Sequence, residues 1–189
     1  MKMKIFNDII QKNLIKDCLQ GDKNSFKELI SPYKNKLYNY LFRFTGSLET
    51  AEDLMQESLI KIWLGLSNYS ERNSFSSWLF SIAHNTAIDY LRKEKMMFSE
   101  IEPEMIAEEN RNQANPHQLL VGKETERIFL SAVRNLPLKQ QDVFMLRNFA
   151  GLKFKEIAEI TGEPLNTVLS HMNYSIKKIK KILSEENAA

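Results

Sequence analysis

The chain has 189 residues, of which 43% are hydrophobic, and carries 26 Lys/Arg against 24 Asp/Glu for a formal net charge of +2. That is enough to build one ordinary domain or two small ones with real cores, and it excludes a disordered or fibrous chain. A single cysteine, Cys18, leaves no internal disulfide and no metal-ligand cluster, no apolar run reaches the length that spans a bilayer, and the N-terminus has no signal-peptide core. The expectation is a soluble protein of a reducing cytoplasm, without membrane insertion, with Cys18 a small buried residue.

Apolar periodicity predicts helices throughout and no strand. A first helix is expected over 7–19, ending at Gly21. A second opens near Asp22 and runs to Thr45, with Phe26, Leu29, Ile30, Tyr33, Leu37, Tyr40, Leu41 and Phe44 recurring at three and four until Gly46 stops it. A third covers 48–65 and buries Ala51, Leu54, Met55, Ser58, Leu59 and Ile62. The polar loop 67–74 then leads into a long helix from Phe75, on which Trp78, Leu79, Ile82, Ala83 and Leu91 form the core side and Asn85, Asp89 and Arg92 the polar side.

Residues 97–116 have no apolar period and contain five glutamates, Pro103 and Pro116, which reads as a flexible acidic linker. Charge follows the same division. Residues 1–93 carry 13 Lys/Arg against 10 Asp/Glu, 94–127 carry 4 against 8, and 128–189 carry 9 against 6. The acidic middle is either a solvated tether or a segment suited to a basic channel on a larger partner. Helices are expected again over 119–136, from Pro137 to Asn148, and on both sides of Gly162. The fold class is all-α: two small helical domains joined by the linker, the C-terminal one containing a helix-turn-helix.

A helix-turn-helix needs a small residue where its first helix crosses the second, a residue tolerant of positive φ in the turn, and an apolar residue facing back from the second helix. Ala158, Gly162 and Val168 stand at those places, Ile157, Ile160, Leu165 and Met172 complete the seam, and Asn166 is placed to cap the second helix. An ordinary helical hairpin is the competing reading. On the second helix, Asn166, Thr167, Ser170, His171, Asn173 and Tyr174 face outward, followed by Lys177, Lys178 and Lys181; such side chains suit base edges and then phosphates, although a lysine-rich helix end also suits plain solvent. The histidines are scattered, no glycine-rich phosphate loop is present, and no set of residues has metal or nucleophile spacing. No catalysis, no metal and no cofactor are expected.

Four stretches together resemble the extracytoplasmic-function sigma factors, a compact class of RNA polymerase sigma factors in the sigma-70 family: residues 22–40, Ala51-Glu-Asp-Leu-Met-Gln-Glu57 with Trp63, 75–92, and 136–183. The resemblance implies a region 2 domain over 1–96, the acidic linker over 97–116, and a region 4 domain over 117–189. It implies a non-enzymatic factor that binds core RNA polymerase, directs it to promoters and assists melting. Asp53, Leu54, Gln56 and Glu57 match the polymerase-gripping helix. Ser70, Arg72, Asn73 and Ser74 match the loop that captures a flipped base of the minus-ten element, with Phe75, Trp78, His84, Asn85, Asp89, Tyr90 and Arg92 in the segment that follows. Asn166, Thr167, Ser170, His171, Tyr174, Lys177 and Lys178 fall to the minus-thirty-five contact. The partners implied are core polymerase, promoter DNA both duplex and melted, and an anti-sigma factor.

The second helix departs from the pattern. The family commonly shows Gly-Thr-Val-Lys-Ser-Arg and two later arginines, whereas this chain has Asn166-Thr-Val-Leu-Ser-His171, then Tyr174 and Ile176. With cations missing there, a sigma-like adaptor that has lost DNA binding stays open as an alternative, as does a stand-alone helix-turn-helix regulator.

Overall fold

The computed structural model describes the backbone of residues 2–99 and 123–186, and the side chains of 9–93 and 128–185. Among these residues every regular element is helical: α1 (Lys2–Leu19), α2 (Lys23–Thr45), α3 (Leu48–Gly65), α4 (Phe75–Ser99), α5 (Lys123–Arg134), α6 (Leu138–Asn148), α7 (Phe154–Thr161) and α8 (Leu165–Glu186). A 3₁₀ turn, Leu66–Asn68, follows α3. α1 begins earlier than its apolar period suggested, and α4 runs three residues into the stretch expected as linker. The rest of that expected linker, 100–116, and the start of the helix expected from 119 lie outside the described residues.

Local chemistry sets the boundaries. The Asp22 carboxylate accepts the backbone N–H groups of Asn24 and Ser25 at the start of α2, and the Ser25 hydroxyl first, then these backbone bonds, hold its pKa below the ordinary carboxylate range. Gly46 ends α2 in the left-handed region at φ 79°. A side chain there meets a second obstacle, because a Cβ on Gly46 comes 3.0 Å from the Arg134 guanidinium. Ser47 then caps α3 by accepting the Thr50 N–H.

In the N-terminal domain α2 packs on α1, α3 and α4. Leu37, Tyr40, Leu41, Ala51, Ile62, Leu79, Phe80 and Ala83 are fully shielded at its centre, and Cys18 is buried at its edge. Trp63 packs edge-on against Phe26, their ring centroids 5.1 Å apart. The C-terminal domain is built on α8, which packs against α5, α6 and α7 around Val133, Met145, Leu146, Leu152, Ile157 and Val168.

The two domains touch. α2 meets α6 and α4 meets α7. Arg43 lies over the Phe149 ring at 4.3 Å, and Ser74 bonds Glu156 at 2.6 Å. Tyr40 of α2, fully buried, also lies within electrostatic reach of Asp142 on α6.

Candidate nucleic-acid interface

α3 buries the stripe Ala51, Leu54, Met55, Ser58 and Ile62, which turns Asp53, Gln56 and Glu57 outward. Glu57 pairs with Lys61 one turn on at 2.7 Å. Ile60 and Leu64, 59% and 70% exposed, extend the same outward face, so its acidic and amide end continues into an apolar one. Leu54 does not share it. At 3% exposure Leu54 belongs to the core, because its helical phase coincides with Ala51 and Ser58 rather than with Asp53.

The loop before α4 is held at several points. The Tyr69 hydroxyl donates to the Asn73 carbonyl at 3.0 Å, and Glu71 pairs with Lys12 at 2.7 Å. Ser74 caps α4: its Oγ accepts the Ser77 N–H at 3.1 Å while donating to Glu156 of α7. Ser70, Arg72 and Asn73 are exposed around this frame. Phe75 is not. It is 1% exposed and sits among Tyr33, Tyr69 and Trp78, an apolar plug beneath the loop rather than a surface on which a base could stack.

Further along α4 the outward side is Asn85, Asp89 and Arg92, with Arg92 3.5 Å from Asp89. Tyr90 is half-buried. His84 points the other way, 5% exposed, its Nδ1 3.0 Å from the Tyr40 hydroxyl. Burial pushes its pKa down to about 4, so the ring is neutral and serves as a core polar pair. His84 thus lies in the segment without facing its outward side.

In the C-terminal domain the turn has the expected form. Gly162 adopts φ 69°, and its N–H bonds the Ala158 carbonyl, while Val168 is fully buried against α7 and Ile157. Asn166 does not cap α8. The helix starts at Leu165, with the Thr167 and Val168 N–H groups bonded to the Pro164 carbonyl, so Asn166 lies inside the first turn with an exposed side chain. Ser170, Tyr174, Lys177 and Lys178 are also exposed, and Thr167 is half-buried. Lys178 donates to the Asn135 carbonyl at 2.9 Å. Tyr174, Lys177, Lys178 and Lys181 line an open hollow of about 370 Å³ with Pro137 and Gln140 at the start of α6.

His171 is turned inward. Its Nε2 lies 3.0 Å from Glu163 Oε2, while Glu163 Oε1 is 2.7 Å from the Lys139 ammonium. The Lys139 bond holds the Glu163 carboxyl below its ordinary range against the opposing effect of burial, with His171 adding to the pull. Nearby, burial and then the Glu163 charge push Asp142 up to about 7, and its Oδ1 is a buried atom with no hydrogen-bond partner. The sequence reading missed Glu163, Lys139, Asp142 and Glu156. Only Glu156 had a local signal: three residues after Lys153, it accepts the Lys153 N–H at 2.8 Å as the third residue of α7. Among the described residues no cluster could hold a metal ion, and no helix is long and apolar enough to cross a membrane.

Comparison with known proteins matches residues 29–96 to Sigma-70 region 2 and residues 126–179 to Sigma-70, region 4. The ECF RNA polymerase sigma-E factor of Haemophilus influenzae is 32% identical over 166 residues, covering 84% of this chain and 87% of its own. The RNA polymerase sigma factor YlaC of Bacillus subtilis is 33% identical over 165 residues, covering 86% and 94%. The fold is shared with the sigma factor RpoE of Bartonella quintana, solved in complex with the anti-sigma factor NepR, at a TM-score of 0.70 and 21% identity over 84% of this chain and 96% of that one.

Proposed function

Because the chain belongs to the extracytoplasmic-function sigma factors of the sigma-70 family, we propose that it binds core RNA polymerase, carries it to promoters with minus-ten and minus-thirty-five elements, and assists their melting. The nucleotidyl transfer belongs to the polymerase. In this reading domain boundaries follow 1–96 and 117–189, joined by 97–116. Asp53, Gln56 and Glu57 face a basic helical surface of the polymerase, with Ile60 and Leu64 as its apolar continuation. Ser70, Arg72 and Asn73 surround a base turned out of the minus-ten strand, and Asn85, Asp89 and Arg92 line the path of that strand. Stacking and edge contacts worth about 1 to 3 kcal/mol per base suffice for a short bubble once polymerase contributes the rest. Asn166, Thr167, Ser170, Tyr174, Lys177 and Lys178 meet the minus-thirty-five duplex. An anti-sigma factor is the regulator that fits this class.

The observation that carries the reading is the presence, in one chain, of an outward acidic and amide face on α3, an exposed loop in front of α4, and a helix-turn-helix in a separate domain. A stand-alone duplex binder needs only the last. The two elements lie about 25 base pairs, roughly 85 Å, apart along a duplex, whereas Ser74 and Glu156 are in contact here. The domains therefore part when both elements are engaged. The test is transcription in vitro by core polymerase on a library of randomised promoters. Two separated sequence blocks enriched only when the chain is present support the reading; a transcript pool indifferent to it overturns the reading.

A further inference from the structure

Resting on the reading that the C-terminal domain meets duplex DNA, we propose that Glu163 is an internal stand-in for a DNA phosphate, holding Lys139 and His171 away from DNA in the free protein. Three elements converge on this carboxylate: Lys139 from the first turn of α6, His171 from α8, and Glu163 itself from the turn between α7 and α8. Each oxygen faces one nitrogen, Oε1 to Lys139 at 2.7 Å and Oε2 to His171 at 3.0 Å. Oε2 and Nε2 are shielded from solvent and neither has a hydrogen-bond partner, so their 3.0 Å approach is a close contact rather than a formed hydrogen bond. A carboxylate that holds the Lys139 ammonium on one oxygen satisfies a group that a phosphate would satisfy.

Position makes the competition direct. Lys139 lies between Pro137 and Gln140, which form one wall of the hollow lined by Tyr174, Lys177, Lys178 and Lys181, and His171 is one turn before Tyr174 on the other wall. The clamp thus lies beside a hollow lined by three lysines. Lys139 remains 73% exposed and can swing to a phosphate without unfolding anything, whereas Glu163, at 14%, is fixed. DNA binding must exchange the Glu163 contact for a phosphate contact, and the exchange yields fewer released counterions than free cations would give.

The test is Glu163→Gln in the full chain, titrated against a short duplex by fluorescence anisotropy over about 50 to 200 mM salt. The freed Lys139 ammonium should steepen the slope of log K against log salt by about 1 unit and tighten binding about three- to tenfold at the low-salt end. The gain should be equal for an unrelated duplex, since phosphates carry no sequence. Circular dichroism over the same salt series gives the folded fraction of the variant, so that any salt-dependent unfolding is subtracted from the slope. Adding Lys139→Ala to Glu163→Gln should return the slope by about 1 unit. An unchanged or shallower slope in Glu163→Gln, or no return on removing Lys139, overturns the proposal. If neither wild type nor variant binds any duplex at low salt, the reading of this domain as a DNA binder falls with it.

Discussion

The two domains present their surfaces differently. On α3, Asp53, Gln56 and Glu57 stand outward with a single short-range tie, Glu57 to Lys61, while on α8 His171 is bound to Glu163 and Lys178 to the Asn135 carbonyl. The α3 face displays its polar groups, whereas α8 has part of its own already partnered within the domain. Surface composition alone does not distinguish these cases. What matters is whether a charge already has a partner, because binding then exchanges one contact for another instead of adding one.

The largest effect is expected where a displayed face is reversed. Asp53→Lys with Glu57→Lys should weaken association with core polymerase about 1000-fold, on the order of 4 kcal/mol, while leaving helicity intact. Binding measured on immobilised polymerase, beside circular dichroism, checks this. An unaltered affinity means that the displayed face is idle.

The comparison extends to the cores, whose buried titratable groups respond to pH in opposite senses. His84 is held down to about 4, so the folded domain stays neutral while the unfolded chain takes up a proton near 6.5; stability is full above that pH and falls by roughly 3 kcal/mol on descending toward 4. Asp142 is raised to about 7, so the folded chain keeps a proton that the unfolded chain releases near 4; stability is full below 4 and falls by roughly 4 kcal/mol as pH rises to 7. Denaturant titrations across pH 4 to 8, in wild type, Asp142→Asn and His84→Gln, separate the two. Each substitution should flatten its own limb.

Loop contacts come next. Replacing Ser70, Glu71, Arg72 and Asn73 while keeping Ser74 should change the preferred minus-ten bases by about 1 to 2 kcal/mol per position and leave polymerase affinity alone. Selection from a randomised library reads it, and an unaltered preference removes the loop from base recognition. Ser74→Ala is the smaller change. It should cost about 1 kcal/mol as a lost cap, seen as a lower midpoint in thermal melting, and it also removes the bond to Glu156 between domains.

Sequence was informative where the determinant is local. Asp22 and Gly46 bracket α2 because a side-chain cap and a left-handed residue act within a few positions, and Ala158, Gly162 and Val168 marked the helix-turn-helix for the same reason. Helical phase also separated Asn85, Asp89 and Arg92 from the core side of α4. For Leu54 the phase was right and the family motif, transferred whole, was not; the same transfer put Phe75 among the contacts although it faces inward. Asn166 missed its cap because the helix starts two residues sooner, after Pro164. The clamp of Lys139, Glu163 and His171 left no trace, since Lys139 is brought to the turn only by the packing of α6 on α8. Contacts that depend on which helices meet have no period to read.

The most direct test of this account is the affinity of the full chain for promoter DNA near physiological salt, measured with and without core polymerase. A second domain whose cations are partly occupied should bind weakly alone, with a Kd of about 1 μM or more, and about 100-fold tighter when polymerase tethers it, a gain that Asp53→Lys with Glu57→Lys removes. Nanomolar binding by the chain alone, unaffected by polymerase, would contradict the account.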